Sequence, residues 1–124
     1  MDRETVKIHE KKDIGEVQIA NEVVAIIAGL AASEVDGIAG MVGSLKGDLV
    51  ELLGKKNMSK GVIVEVNEDC ISLELSVIVD FGASIPQVCK NVQEKVKNAV
   101  ETMTGLTVEE VNVRVAGVDV ETDK

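Results

Sequence analysis

The chain has 124 residues, an ordinary single domain's length, and such a chain buries roughly two-thirds of its unfolded surface. Hydrophobic residues make up 45% and charged residues 28%, with one Pro, which excludes a disordered or collagen-like polymer. A net charge of −9 disfavours general binding to phosphate backbones, and the longest apolar stretch, Val23 to Ala32, is too short to span a membrane.

Residues 1–14 are polar and mixed in charge, and are expected to be loosely held. They lack the basic-then-apolar pattern of a secretory leader, so the expected location is cytoplasmic. Residues 15–121 are expected to form one domain, since no Pro-, Gly- or Ser-rich linker and no internal repeat divides them. Val17 and Ile19 alternate with polar neighbours and predict a short extended lead-in. Asn21 to Glu34 predicts a helix. Its apolar set, Val23, Val24, Ile26, Ile27, Leu30 and Ala31, is wider than a one-sided stripe, and Asp36-Gly37 ends it.

Ile38 to Val42 reads as a short strand. Leu45, Leu49, Leu52 and Leu53 predict a second, short helix closed by Gly54. Val62 to Val66 is β-branched and reads as a strand. From Ile71 to Asp80 the pattern alternates, with Ile71, Leu73, Leu75, Val77 and Val79 on one face and Ser72, Glu74, Ser76 and Asp80 on the other. Asn67 to Asp69 joins these two strands as a tight hairpin.

Ser84, Pro86 and Gln87 read as a helix start with a capping box. Val88, Val92, Val96, Val100 and Met103 carry the helix to Thr104, and Gly105 caps it. Val108 to Val120 is the last strand, with a bulge or bend expected near Gly117. The predicted fold is α+β, a small mostly antiparallel sheet with helices packed on one face, in the order α-β-α-β-β-α-β.

Catalytic chemistry has few candidates. There is one His, His9, in the polar N-terminal segment. Cys70 and Cys89 have neither metal-site nor redox-motif spacing and read as reduced thiols. Cys89 lies near a helix N-terminus, where the dipole lowers a thiol pKa, so it is the candidate nucleophile of an enzyme reading. Its place beside Val88 and Val92 favours a space-filling role instead. Glu68-Asp69 and Glu109-Glu110 are the acidic pairs, but no metal-loop spacing accompanies them. The glycine run from Gly37 to Gly43 follows a helix rather than a strand, which argues against a dinucleotide site. No catalytic, metal or cofactor residues are assigned.

One surface is unusual. Ala25, Gly29 and Ser33 recur every four residues, with Ala28 and Ala32 beside them. Small residues at this spacing let another backbone approach closely. They pack either against the chain's own domain or against a second subunit. The width of the helix's apolar face favours adding a homo-oligomer contact to the expectations.

Taken together, several segments resemble the alkaline shock protein family, also called the envelope stress response family. In the first half they are Gly15 to Val24, Ile27 to Ala32, Glu34 to Gly37 and Gly40-Met41. In the second half they are Phe81-Gly82, Ile85-Pro86, Val92 to Val96, Val100 to Leu106, Val111 to Val113 and Gly117-Val118. Leu52 to Asn57 and Ser59 to Val62 resemble its YqhY-like branch in particular. Ala20 departs from the capping Ser or Thr expected before the first helix. The resemblance implies a small bacterial α/β protein, mainly of Gram-positive organisms, cytosolic and acting through protein contacts. Some members gather at the inner membrane face through an anchored partner. For the YqhY-like branch it implies a link to fatty-acid synthesis, as a modulator of acetyl-CoA carboxylase. It supplies no catalytic residues, and the basic stretch around Lys55 and Lys56 has no role assigned. A small RNA-binding module is the other alternative, because a hairpin-helix-strand unit also occurs in K-homology-like folds. The sequence lacks that fold's GXXG clamp and stacking aromatics.

Overall fold

The computed structural model describes residues 5–7, 14–45 and 60–120. Their elements run β1 (Thr5–Lys7), β2 (Gln18–Ala20), α1 (Asn21–Ser33), β3 (Ile38–Met41), β4 (Ser44–Leu45), β5 (Val62–Val66), β6 (Cys70–Asp80), α2 (Ile85–Thr104) and β7 (Thr107–Asp119). This is the expected α+β architecture. The helix predicted through Leu49, Leu52 and Leu53 lies outside the described residues, while the backbone of Leu45 belongs to β4. Within residues 1–14, Thr5–Lys7 pairs antiparallel with β2.

The alternation in β6 makes it the sheet's centre. Ile71, Leu73, Leu75, Val77 and Val79 are buried at 1% exposure or less, and Val24, Ala28, Val92, Val96 and Val100 from the two helices complete the core with them. Valine and other aliphatic side chains fill this core without an aromatic ring. The opposite face of β6 carries Ser72, Glu74, Ser76 and Asp80, as the period of two requires.

β6 is paired on both edges. One edge is shared end to end by two short strands, both antiparallel to it. β5 runs from Val66 opposite Ile71 to Val62 opposite Leu75. β3 then takes Met41 opposite Val77 and Ile38 opposite Val79. They meet at Ser76, which donates its N–H to the Gly61 carbonyl (2.8 Å) and accepts the Val42 N–H (3.1 Å). The chain therefore leaves the edge of β6 after Val42, pairs β4 with β3 on the far side of β3, and is back at the same point of β6 at Gly61. Gly61 has φ of +82°, and a Cβ there would lie 3.1 Å from the Ser76 carbonyl oxygen.

The other edge of β6 pairs along its whole length with β7, in parallel. The longest ladder is thus parallel in an otherwise antiparallel sheet, because α2 carries the chain back to the starting end of β6. Two register shifts interrupt it, leaving Glu109 and Ala116 as extra residues in β7. The expected bulge accordingly falls immediately before Gly117.

Helix α2 spans the predicted residues and ends on Gly105 at φ +77°, whose N–H donates to the Glu101 carbonyl. Its predicted capping box does not form. Ser84 makes no side-chain cap, and Gln87 donates to Asn91 Oδ1 instead (3.1 Å). Pro86 removes one of the two N–H groups that Ser84 could cap, which weakens the motif. At the other end, Thr104 Oγ donates to the Val100 carbonyl (2.6 Å) and accepts the Leu106 N–H (3.1 Å). This stitches the helix to the start of β7.

Candidate functional site

The small-residue stripe on α1 is buried within the chain. Ala25, Ala28, Gly29, Ala32 and Ser33 all face inward, with Ala28 and Ala32 fully enclosed. Ala25 lines a shallow depression with Val62 and Val64 of β5, so close approach here serves helix-on-sheet packing. Ser33 also spends its hydroxyl internally, on the Leu30 carbonyl (3.0 Å). Of the two expected roles for the stripe, packing within the domain is the one its burial in the single chain supports.

What α1 leaves outside is its other face. Val23 is 45% exposed and Leu30 37% exposed. On α2 the neighbouring row Lys95, Ala99 and Met103, with Asn98 and Thr102, lines a groove of about 360 Å³. Lys95 reaches Glu34 at the end of α1 (3.4 Å), which puts this row on the side of α2 that meets α1. Met103 is 69% exposed. The two helices thus present an outer surface of apolar side chains between polar ones.

The thiols lie at opposite ends of the sheet, Cys70 at the start of β6 and Cys89 in the first turns of α2, and both are free. Burial pushes the Cys89 thiol up, opposite to what a nucleophile needs. Cys70 donates to Glu109 Oε1 (3.2 Å), and Asn67 Nδ2 donates to the same oxygen (3.1 Å). The hydrogen bond to Glu109 raises the Cys70 pKa, with desolvation and the carboxylate's charge adding to it. Cys70, Asn67 and Glu109 therefore form a clasp between the β5–β6 hairpin and the first bulge of β7. Of the acidic pairs, Glu109 is used in this way, and Glu110 is exposed on β7. No group of metal-binding side chains occurs among the described residues. His9, Lys55 and Lys56 lie outside them.

A second clasp holds β7 from α2. Glu101 Oε2 accepts from Lys97 Nζ (2.8 Å) and from the Val108 N–H (2.9 Å). Lys97 also donates to the Val108 carbonyl (3.2 Å), and Gln93 Nε2 to the Val111 carbonyl (3.0 Å). The Lys97 hydrogen bond, then that of the Val108 N–H, lowers the Glu101 pKa.

With this geometry, residues 9–120 match the family of alkaline shock protein 23, described as having a cell envelope-related function. The chain belongs to that family. It is 43% identical to YqhY of Bacillus subtilis (strain 168) over 114 residues, 92% of this chain and 84% of that protein. It is 31% identical to a stress response regulator gls24 homolog of Streptococcus pyogenes serotype M3, over 87% of this chain and 60% of that protein. Among solved structures, the MamM CTD is similar in fold, with a TM-score of 0.51 at 18% identity, over 80% of this chain and 96% of that one.

In this alkaline shock protein domain, no described helix is long and apolar enough to cross a membrane. Sequence reasoning overlooked the polar row Gln93, Lys97 and Glu101 on α2. Its spacing of four was visible in the chain, but its targets, the backbone groups of Val108 and Val111, appear only once α2 is laid along β7.

Proposed function

We propose that the chain is a non-enzymatic binding or scaffold protein of the alkaline-shock, envelope stress response type, working in the cytoplasm through protein contacts. The observation that carries this reading is the set of apolar side chains that α1 and α2 leave exposed, Val23 and Leu30 on α1 and Met103 in the Lys95 groove of α2. The raised pKa values of both thiols support it, since they remove the Cys89 nucleophile its support. Association with the membrane is borrowed from an anchored partner. The partner proposed for this chain, on its resemblance to the YqhY-like branch, is either that anchored protein or acetyl-CoA carboxylase, the latter with modulation of fatty-acid synthesis as the outcome.

Capture of the native complex from cells, followed by mass spectrometry, tests this. Recovery of carboxylase subunits or of a membrane-anchored protein at a fixed ratio to the bait supports the reading, and the absence of both contradicts it. Titration with single-stranded RNA at low and physiological salt is the companion test. Salt-resistant RNA binding would favour the RNA-binding alternative.

A further inference from the structure

Strand β7 is 13 residues long and, among the described residues, is paired on one edge only. A bare edge of that length is a template for another strand unless it is blocked. Here the blocking is partial. Gln93, Lys97 and Glu101 of α2 reach round to the Val108 N–H, the Val108 carbonyl and the Val111 carbonyl. These groups therefore point outward. The inward direction is marked at the far end, where the Asp119 carbonyl accepts the Phe81 N–H.

Backbone groups alternate along a strand, and the ladder sets Val111, Val113 and Val115 opposite Leu73, Leu75 and Val77. All three valines thus turn their N–H and carbonyl groups to the open edge. Beyond the Val111 carbonyl, no described side chain takes them. The intervening Glu110, Asn112 and Arg114 are exposed on the sheet's helix-free face. Neither Glu110 nor Arg114 has an ion-pair partner among the described residues.

We propose that this edge binds β7 of a second copy of the chain, antiparallel, about a two-fold axis at Asn112. The pattern Glu110-Val111-Asn112-Val113-Arg114 is self-complementary about that point. Reversed upon itself, it sets Glu110 opposite Arg114 of the second copy, twice, and Val111 opposite Val113, where the outward backbone groups exchange hydrogen bonds. A slip of two residues would set Arg114 opposite Asn112 and lose both ion pairs, and a slip of four would set Arg114 opposite itself, where like charges oppose it. The Val111 carbonyl keeps a second lone pair for the new bond while Gln93 holds the first. The product is one continuous sheet through both copies, with α1 and α2 of each on the same face.

This gives the scaffold reading a self-association surface, and the two fail separately: partner capture tests one, and subunit mass the other. The experiment is sedimentation equilibrium on the full chain, its Arg114→Glu variant and the Glu110→Arg/Arg114→Glu swap. The wild type should dimerise. Arg114→Glu sets acid against acid at both ends and should weaken the dimer about tenfold or more, and the swap should restore most of the loss. Both positions are exposed, so folding is preserved, and circular dichroism verifies it. A wild type that stays monomeric at every concentration overturns the proposal. A dimer indifferent to Arg114→Glu, or a swap no better than the single variant, also overturns it.

Discussion

A Cβ built on Gly37 would lie 2.6 Å from Val88 Cγ2, so the turn after α1 and the first turns of α2 touch with no room for a methyl group. Gly37 also has φ of +100°, and its carbonyl accepts the Asp80 N–H at the end of β6 (2.8 Å). One glycine therefore joins both helices to the central strand. Gly37→Ala combines a strained backbone with overpacking, and should destabilise the domain by about 2–4 kcal/mol. Urea unfolding followed by circular dichroism measures it, and an unchanged midpoint would refute the contact.

Gly29 gives a sharper test of where the small-residue stripe points. It is buried within the chain. Gly29→Glu should therefore unfold the domain, with a loss on the order of 3–5 kcal/mol from an unpaired buried charge, rather than split a folded assembly. A variant that stays folded but becomes monomeric would return the stripe to an interface between subunits.

Glu101 predicts a pH dependence. Its pKa is lowered in the folded chain by Lys97 and by the Val108 N–H, so folding favours the charged carboxylate. That stabilisation is full at neutral pH, above the unfolded carboxylate's pKa, and is lost as pH falls through the folded value. Glu101→Gln should lower the urea midpoint at pH 7, and the gap from wild type should close in acid. A gap that persists or widens as pH falls would have the wrong sign.

The thiols predict slow chemistry. Both pKa values are raised, so Cys70 and Cys89 should react with a disulfide reagent at pH 8 more slowly than a free thiol does. Glu109→Ala removes both the hydrogen bond, the main cause at Cys70, and the charge, and should speed that site alone. Cys89→Ala should cost about 1 kcal/mol or less. A fast-reacting Cys89 would revive the nucleophile reading.

Much of this fold is legible in the sequence because its signals are local. The valine row from Val88 to Val100, Gly105 after it, and the alternation from Ile71 to Val79 each specify an element and its buried face. The family resemblance was legible over most of the chain for the same reason. What was not legible is relational. Nothing local says that β3 and β5 share one edge of β6, or that β7 returns parallel along the other. The capping box failed because Gln87 had Asn91 within reach and Pro86 offered no N–H. The α1 stripe announced a near backbone without saying whose. The edge of β7 became visible only once the α2 side chains marked which backbone groups face outward.

The proposed action is by protein contact through the exposed apolar side chains of α1 and α2. The most direct test is the rate of acetyl-CoA carboxylation by purified carboxylase, titrated with the wild-type chain and with the Val23→Asp/Leu30→Asp variant. Val23 is 45% and Leu30 37% exposed, so the variant should stay folded with a somewhat lower urea midpoint, which circular dichroism verifies. The wild type should change the rate to a saturating plateau, and the variant should leave it near the untreated value. A carboxylation rate that no amount of wild-type chain alters, or one that the folded variant alters equally, would contradict the account.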